Sequence, residues 1–204
     1  MWVYIGTSEL NSAYIGEVYE YSYDFRNKSS TQVTNDGWEL TRWTLALNAN
    51  WLYWTSGDWN ELYIQLTKMN TALANANKVT LKMLGKHWNS WTASNSFFIM
   101  QGKYPNATKS TWLYYTYGSS NSYYYGGTPK SFTYTQPSSW TAEYTYEVDL
   151  QAKTVTLTFI QWGSGVFTTN ISDTDVTNIR TNNHIRCAVA WTNDAISEIN
   201  ILIV

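Results

Sequence analysis

Charge is scarce in this chain. Acidic and basic residues make up 14% of its 204 residues, against roughly a quarter in an ordinary soluble domain. Thirteen Lys and Arg face 15 Asp and Glu, for a net charge of −2, and they are scattered. With no basic stripe there is no footprint for nucleic acid. The lone cysteine, Cys187, excludes an internal disulfide, and two separated histidines offer no cluster for structural zinc, so no metal site is expected. No apolar run is long enough to cross a bilayer as a helix, which sets the expectation of no membrane insertion. The opening WVYIGTSELNSAYIG lacks the basic segment and continuous apolar stretch of a signal peptide. Also missing are the G-x-S-x-G elbow, the P-loop, G-x-G-x-x-G, H-E-x-x-H and C-x-x-C. No cofactor is expected, and the readily recognised enzyme classes fall away.

What the chain has instead is aromatic rings. Twelve Trp, 17 Tyr and six Phe supply 17% of it. Trp and Tyr fit a pleated, half-buried surface and bring polar handles to its edges, which argues for β-structure with a polar, weakly charged exterior. Tyr4-Ile5-Gly6 and Tyr14-Ile15-Gly16 repeat ten residues apart as two short strands, so residues 1–23 read as an N-terminal β-ribbon or attachment segment and residues 24–204 as one domain. Between them, 24–36 (DFRNKSSTQVTND) is polar and reads as a loop.

Alternation identifies the clearest strands. Val79, Leu81 and Met83 share one face, with Lys78, Thr80 and Lys82 on the other. AEYTYEVDL over 142–150 and TVTLTFI over 154–160 form the strongest antiparallel hairpin, and 184–189 and 195–204 supply the last strands. Asp58 and Glu61 have capping-box spacing ahead of Leu62, Leu66, Met69 and Leu73, which predicts a four-turn helix ending near 75–77. Ser172 and Asp175 introduce a second, short helix over 173–181. Many strands separated by frequent turns give the expected fold class: mainly β, an antiparallel jelly-roll-like β-sandwich with one substantial helix and a short second one.

Three kinds of chemistry compete for the candidate residues. Glu143, Glu147 and Asp149 are the carboxylates a glycoside hydrolase would use, but equal parity puts them on one strand face rather than on opposite sides of a sugar. The simpler reading is a solvated strand face. His87 has no sequence-visible orienting partner for acid-base work. Rings can instead stack on sugar faces while Asn, Gln and Thr bond the hydroxyls, and Trp88, Trp91, Tyr123, Tyr124 and Tyr125 are the ligand-binding candidates. The three tyrosines lie in GSSNSYYYGGTP, which reads as a surface loop. The same rings could anchor a protein interface, and composition does not separate the two.

The tandem Tyr-Ile-Gly units resemble short repeats of some bacteriophage virion proteins of the tail-associated, fibre or decoration type, over about the first 16 residues. That resemblance implies a non-enzymatic structural protein located in the virion. Tyr4, Ile5, Tyr14 and Ile15 would be its attachment residues, other virion proteins its partners, and a homo-oligomer, a trimer being one such assembly, its working form. Host-surface attachment through a surface glycan would fit the same role. A carbohydrate-binding β-sandwich module using exposed Trp and Tyr platforms is the alternative, and a glycoside hydrolase the third reading.

Overall fold

Every second residue of Val18–Asp24 is a tyrosine, and Tyr19, Tyr21 and Tyr23 are all buried while Glu20 is exposed. The period of two is that of a strand packed on one face. The computed structural model describes residues 12–15, 18–40, 46–47, 52–53, 60–88, 94–100, 114–116, 122–125, 128–131, 139–160, 164–182, 184–189 and 195–204. In chain order its strands begin with β1 (Ser12–Ile15), β2 (Val18–Asp24), β3 (Glu39–Leu40), β4 (Ala46–Leu47), β5 (Leu52–Tyr53) and β6 (Asn60–Gln65). They continue with β7 (Lys78–Trp88), β8 (Ser94–Met100), β9 (Tyr114–Thr116), β10 (Ser122–Tyr125) and β11 (Thr128–Ser131). The last five are β12 (Ser139–Asp149), β13 (Thr154–Ile160), β14 (Ser164–Asn170), β15 (His184–Val189) and β16 (Ala195–Ile203).

Two antiparallel sheets result. The first runs β1-β2-β16-β7-β12-β13-β14, with β5 added to β16 and β4 to β5; the second runs β11-β10-β9-β8-β15-β6-β3. Together they form the jelly-roll-like sandwich that the alternation predicts. Register converts the alternation of single strands into continuous buried rungs. Tyr21, Ile201, Leu81, Tyr146 and Leu157 lie opposite one another across five strands, and all are buried. Tyr19, Ile203, Val79, Val148 and Val155 form the next such rung. The second sheet answers with buried Ile64, Ile185 and Cys187. Cys187 is thus a small core side chain, as its apolar neighbours suggest.

Three helices are described: α1 (Ser30–Asn35), α2 (Thr67–Ala74) and α3 (Asp173–Arg180). Helix α3 begins where its capping box predicts, with Ser172 Oγ accepting from the Asp175 amide and the Asp175 carboxylate accepting from the Ser172 amide at 2.9 Å. The long helix predicted from Asp58 is not one element. Asn60–Gln65 is strand β6, paired along its whole length with β15, and Leu66 is extended before α2 begins. The spacing of Leu62, Leu66, Met69 and Leu73 misleads because Leu62 belongs to a strand and Leu66 is the extended residue ahead of α2. Only Met69 and Leu73, with Ala72, form the buried stripe of the helix.

Helix α1 lies in the segment read as a loop. Its capping box pairs Ser29 with Gln32, and its one buried residue is Val33. Trp38, just beyond it, packs 5.4 Å from the rings of both Tyr23 and Phe25. At the exit, Gly37 takes a φ of +94°, a left-handed turn that costs a residue without Cβ little.

Candidate functional site

The second sheet has two faces, and the parity of β15 sorts them. Ile185 and Cys187 are buried between the sheets, so Ala188, one residue on, belongs to the face turned away from the first sheet. Backbone register carries that assignment from strand to strand. Pro129, Tyr124, Tyr114, Ser96, Ala188 and Glu61 stand on one continuous rung across β11, β10, β9, β8, β15 and β6. Two residues along, on the same face, Ser131, Ser122, Thr116 and Ser94 form the parallel rung. A row of three ring-bearing residues therefore lies beside a row of four hydroxyl-bearing ones.

Tyr125 pairs with Thr128 and Ser122 with Ser131, so Ser122–Tyr125 and Thr128–Ser131 are the two strands of an antiparallel β-hairpin. The three tyrosines are accordingly in a paired strand rather than in the surface loop that GSSNSYYYGGTP suggests. The hairpin splits the tyrosine run. Tyr124 is on the outward parity with Tyr114, whereas Tyr123 and Tyr125 share the parity of Ile185 and Cys187, Tyr123 lying opposite Tyr115.

The other candidates fall elsewhere. Trp88 ends β7 opposite Ser139, in the first sheet and not on the Tyr124 rung. Trp91, Tyr4 and Ile5 lie outside the described residues. Tyr14 and Ile15 are in β1, opposite Tyr19 and Val18. Because β2 lies between β1 and β16, the tandem units lead directly into a strand of the main sheet. Glu143 and Asp149 have structural partners: Lys82 Nζ lies 2.9 Å from Glu143 Oε1, and Asp149 Oδ1 accepts from the backbone of Gln151 and Ala152. Glu147 shares their parity and is exposed. Carboxylates on one face of one strand do not flank a glycosidic bond from opposite sides. Among the described residues no three His, Cys, Asp or Glu side chains come together as a metal-holding group.

Missed in the sequence were Tyr114, Pro129 and the hydroxyl row of Ser94, Thr116, Ser122 and Ser131. A signal existed. In β9, β10, β11 and β8 a hydroxyl residue sits two positions from a residue of the ring rung, but only pairing shows that these spacings line up.

Among the described residues the shifted titrating groups are on or beside β2. Burial, then hydrogen bonding to Asp36 and its charge, pushes the Tyr23 hydroxyl well above the ordinary phenol range. Burial also raises Tyr21. Partial burial pushes Asp24 up, but hydrogen bonds and charge from Arg26 outweigh it and hold the carboxyl below its usual range. None of these residues lies on the ring rung.

Solved structures of lectins superpose on almost the whole chain. Basic winged bean lectin, determined with Tn-antigen, matches with a TM-score of 0.66 at 9% identity over 92% of this chain and 98% of its own. The fold is that of the legume lectins. Peanut lectin gives 0.62 at 10% identity, covering 91% of this chain and 97% of its own. The carbohydrate recognition domain of Emp46p, in its potassium-bound form, gives 0.58 at 12%, covering 88% and 94%. A protein of unknown function from Shewanella oneidensis MR-1 gives 0.55 at 10%, covering 98% and 90%. No protein-family model matches the chain, and no curated protein matches its sequence.

These findings correct the resemblance drawn from the Tyr-Ile-Gly units. A fold shared with lectins over nine-tenths of the chain outweighs a repeat confined to its first 16 residues, and basic winged bean lectin, peanut lectin and the Emp46p domain are not phage virion proteins. The virion role, the virion-protein partners, the homo-oligomer inferred with them and the virion location are withdrawn with it.

Proposed function

We propose that this protein is a non-enzymatic carbohydrate-binding module whose ligand lies on the outward face of the seven-stranded sheet. The observation that carries this reading is the pairing of two rungs, Pro129–Tyr124–Tyr114 beside Ser131–Ser122–Thr116–Ser94. A pyranose has an apolar C–H face and an equatorial belt of hydroxyls. Rings supply flat apolar area for the first, and Ser and Thr supply donors and acceptors for the second. Neither activates a bond, so the arrangement holds a sugar without cleaving it. The lectin fold of the chain supports the same reading, although fold alone does not assign a ligand.

The test is a glycan array probed with the purified protein and with Tyr124→Ala and Tyr114→Ala variants. Retention of one or more glycans by the parent, weakened in both variants at unchanged melting temperature, is the expected result. Retention of none, or binding indifferent to both substitutions, overturns the assignment of this face.

A further inference from the structure

Resting on the carbohydrate-binding reading, we infer that this face takes a linear, uncharged oligosaccharide lying across the strands, with at least two consecutive sugar units in contact, rather than a single terminal sugar. The first ground is length. Neighbouring strands stand about 4.8 Å apart, which is comparable with the advance of one sugar unit along an extended glycan. The rung Pro129–Tyr124–Tyr114 crosses three adjacent strands, so its ring-bearing residues hold register positions at the spacing of successive sugars. A lone sugar would use one of them.

The second ground is direction. The hydroxyl rung runs parallel to the ring rung over β11, β10, β9 and β8. Hydroxyl partners therefore accompany a chain laid across the strands along its whole length. A chain laid along a strand would meet a ring residue and a hydroxyl residue by turns.

The third ground is charge. On this face β9, β10 and β11 carry Tyr114, Thr116, Ser122, Tyr124, Pro129 and Ser131, and no Asp, Glu, Lys, Arg or His. Lys130 has the opposite parity, opposite Tyr123. Charged residues enter only farther along the sheet, with Arg186 on β15 and Glu61 on β6. A sulfated or sialylated glycan would lose water from its charge and gain no counter-charge across β9 to β11.

The experiment measures affinity by calorimetry for neutral linear β-1,4-linked glucose oligomers and β-1,4-linked galactose oligomers, each from one to four units, with sulfated counterparts, after an array has established whether glycans bind. Affinity for one neutral series rising by roughly tenfold from one to three units is expected, the factor that one ring contact of ordinary strength supplies. Tyr114→Ala and Tyr124→Ala should each flatten the rise, and sulfation should not strengthen binding. Ser122→Asp, which keeps every ring, should weaken the trimer more than the monomer and guards against a ring variant that fails to fold. Equal affinity for one and three units in both series, a rise untouched by Tyr114→Ala, or tighter binding of the sulfated series overturns this inference while glycan binding on the array stands. An array that retains nothing overturns both.

Discussion

The Tyr23 hydroxyl donates to Asp36 Oδ2 across 2.8 Å, joining the inward face of β2 to the residue that ends α1. Lys28 Nζ meets the same oxygen at 2.6 Å and stands 4.7 Å from the centre of the Tyr23 ring. One carboxylate thus fastens a short helix with a single buried side chain to a core strand. Tyr23→Phe keeps the ring and removes the donor, and should cost about 1 to 2 kcal/mol in urea unfolding at neutral pH. Because the folded-state pKa of Tyr23 is raised, its contribution is present below the unfolded value near 10 and is lost as pH rises beyond it. The parent should lose stability above that pH more steeply than Tyr23→Phe does.

Acid should act on a different residue. The folded pKa of Asp24 is depressed, so its contribution is present above the unfolded carboxylate value near 4 and disappears as pH falls through the folded one. Asp24 and Arg26 are each nearly half exposed, which limits the effect to about 0.5 kcal/mol. Asp24→Asn should flatten the fall in melting temperature between pH 5 and 2, and added salt should shrink the difference between the two proteins. Equal slopes at low salt would count against this role.

Two adjacent tyrosines should behave oppositely. Tyr124→Ala, on the outward rung, is expected to lower glycan affinity about tenfold and leave the melting temperature in place. Tyr123→Ala, on the parity of Ile185 and Cys187, is expected to lower the melting temperature and leave the pattern of retained glycans in place. Thermal melts and array binding on the two variants check this, and the reverse pattern would show that β10 is slipped by one residue, which exchanges its two faces.

Leu81 stands at the middle of the rung that runs from Tyr21 to Leu157 and is wholly buried. Leu81→Ala should cost about 2 to 5 kcal/mol, from lost burial and the cavity left behind. Ser172→Ala removes the cap of α3 and should cost about 1 kcal/mol. The two sites share no partner, so the double variant should show the sum in equilibrium unfolding.

Strands β7, β12 and β13 were legible because a face buried on one side writes its period of two directly into the residues. Helix α3 was legible because its capping box precedes apolar residues at helical spacing. Helix α1 carries an equally good box at Ser29 and Gln32, yet only Val33 is buried, and so polar a segment reads as loop. The boundary between β6 and α2 was hidden because Leu62, Leu66, Met69 and Leu73 satisfy a helical period although Leu62 pairs with Cys187. The site was half visible. Three consecutive tyrosines mark the place, but which of them turns outward depends on pairing with β9 and β11, and Tyr114 and the hydroxyl row acquire meaning only beside it.

Strand β16, between β2 and β7, is the piece of the main sheet that comes latest in the chain. Arg26 beside β2 reaches Glu198 on β16, 172 residues later. On the ribosome, β2 and β7 are made long before the strand that separates them, and each waits with an unsatisfied backbone edge until residue 203 has left the exit tunnel. Premature contact between those edges would join the wrong neighbours and shut β16 out. Assembly of this sheet therefore waits on a strand made long after its neighbours, and shielding the waiting edges during synthesis should decide how much of the protein reaches its native state in a foreign host.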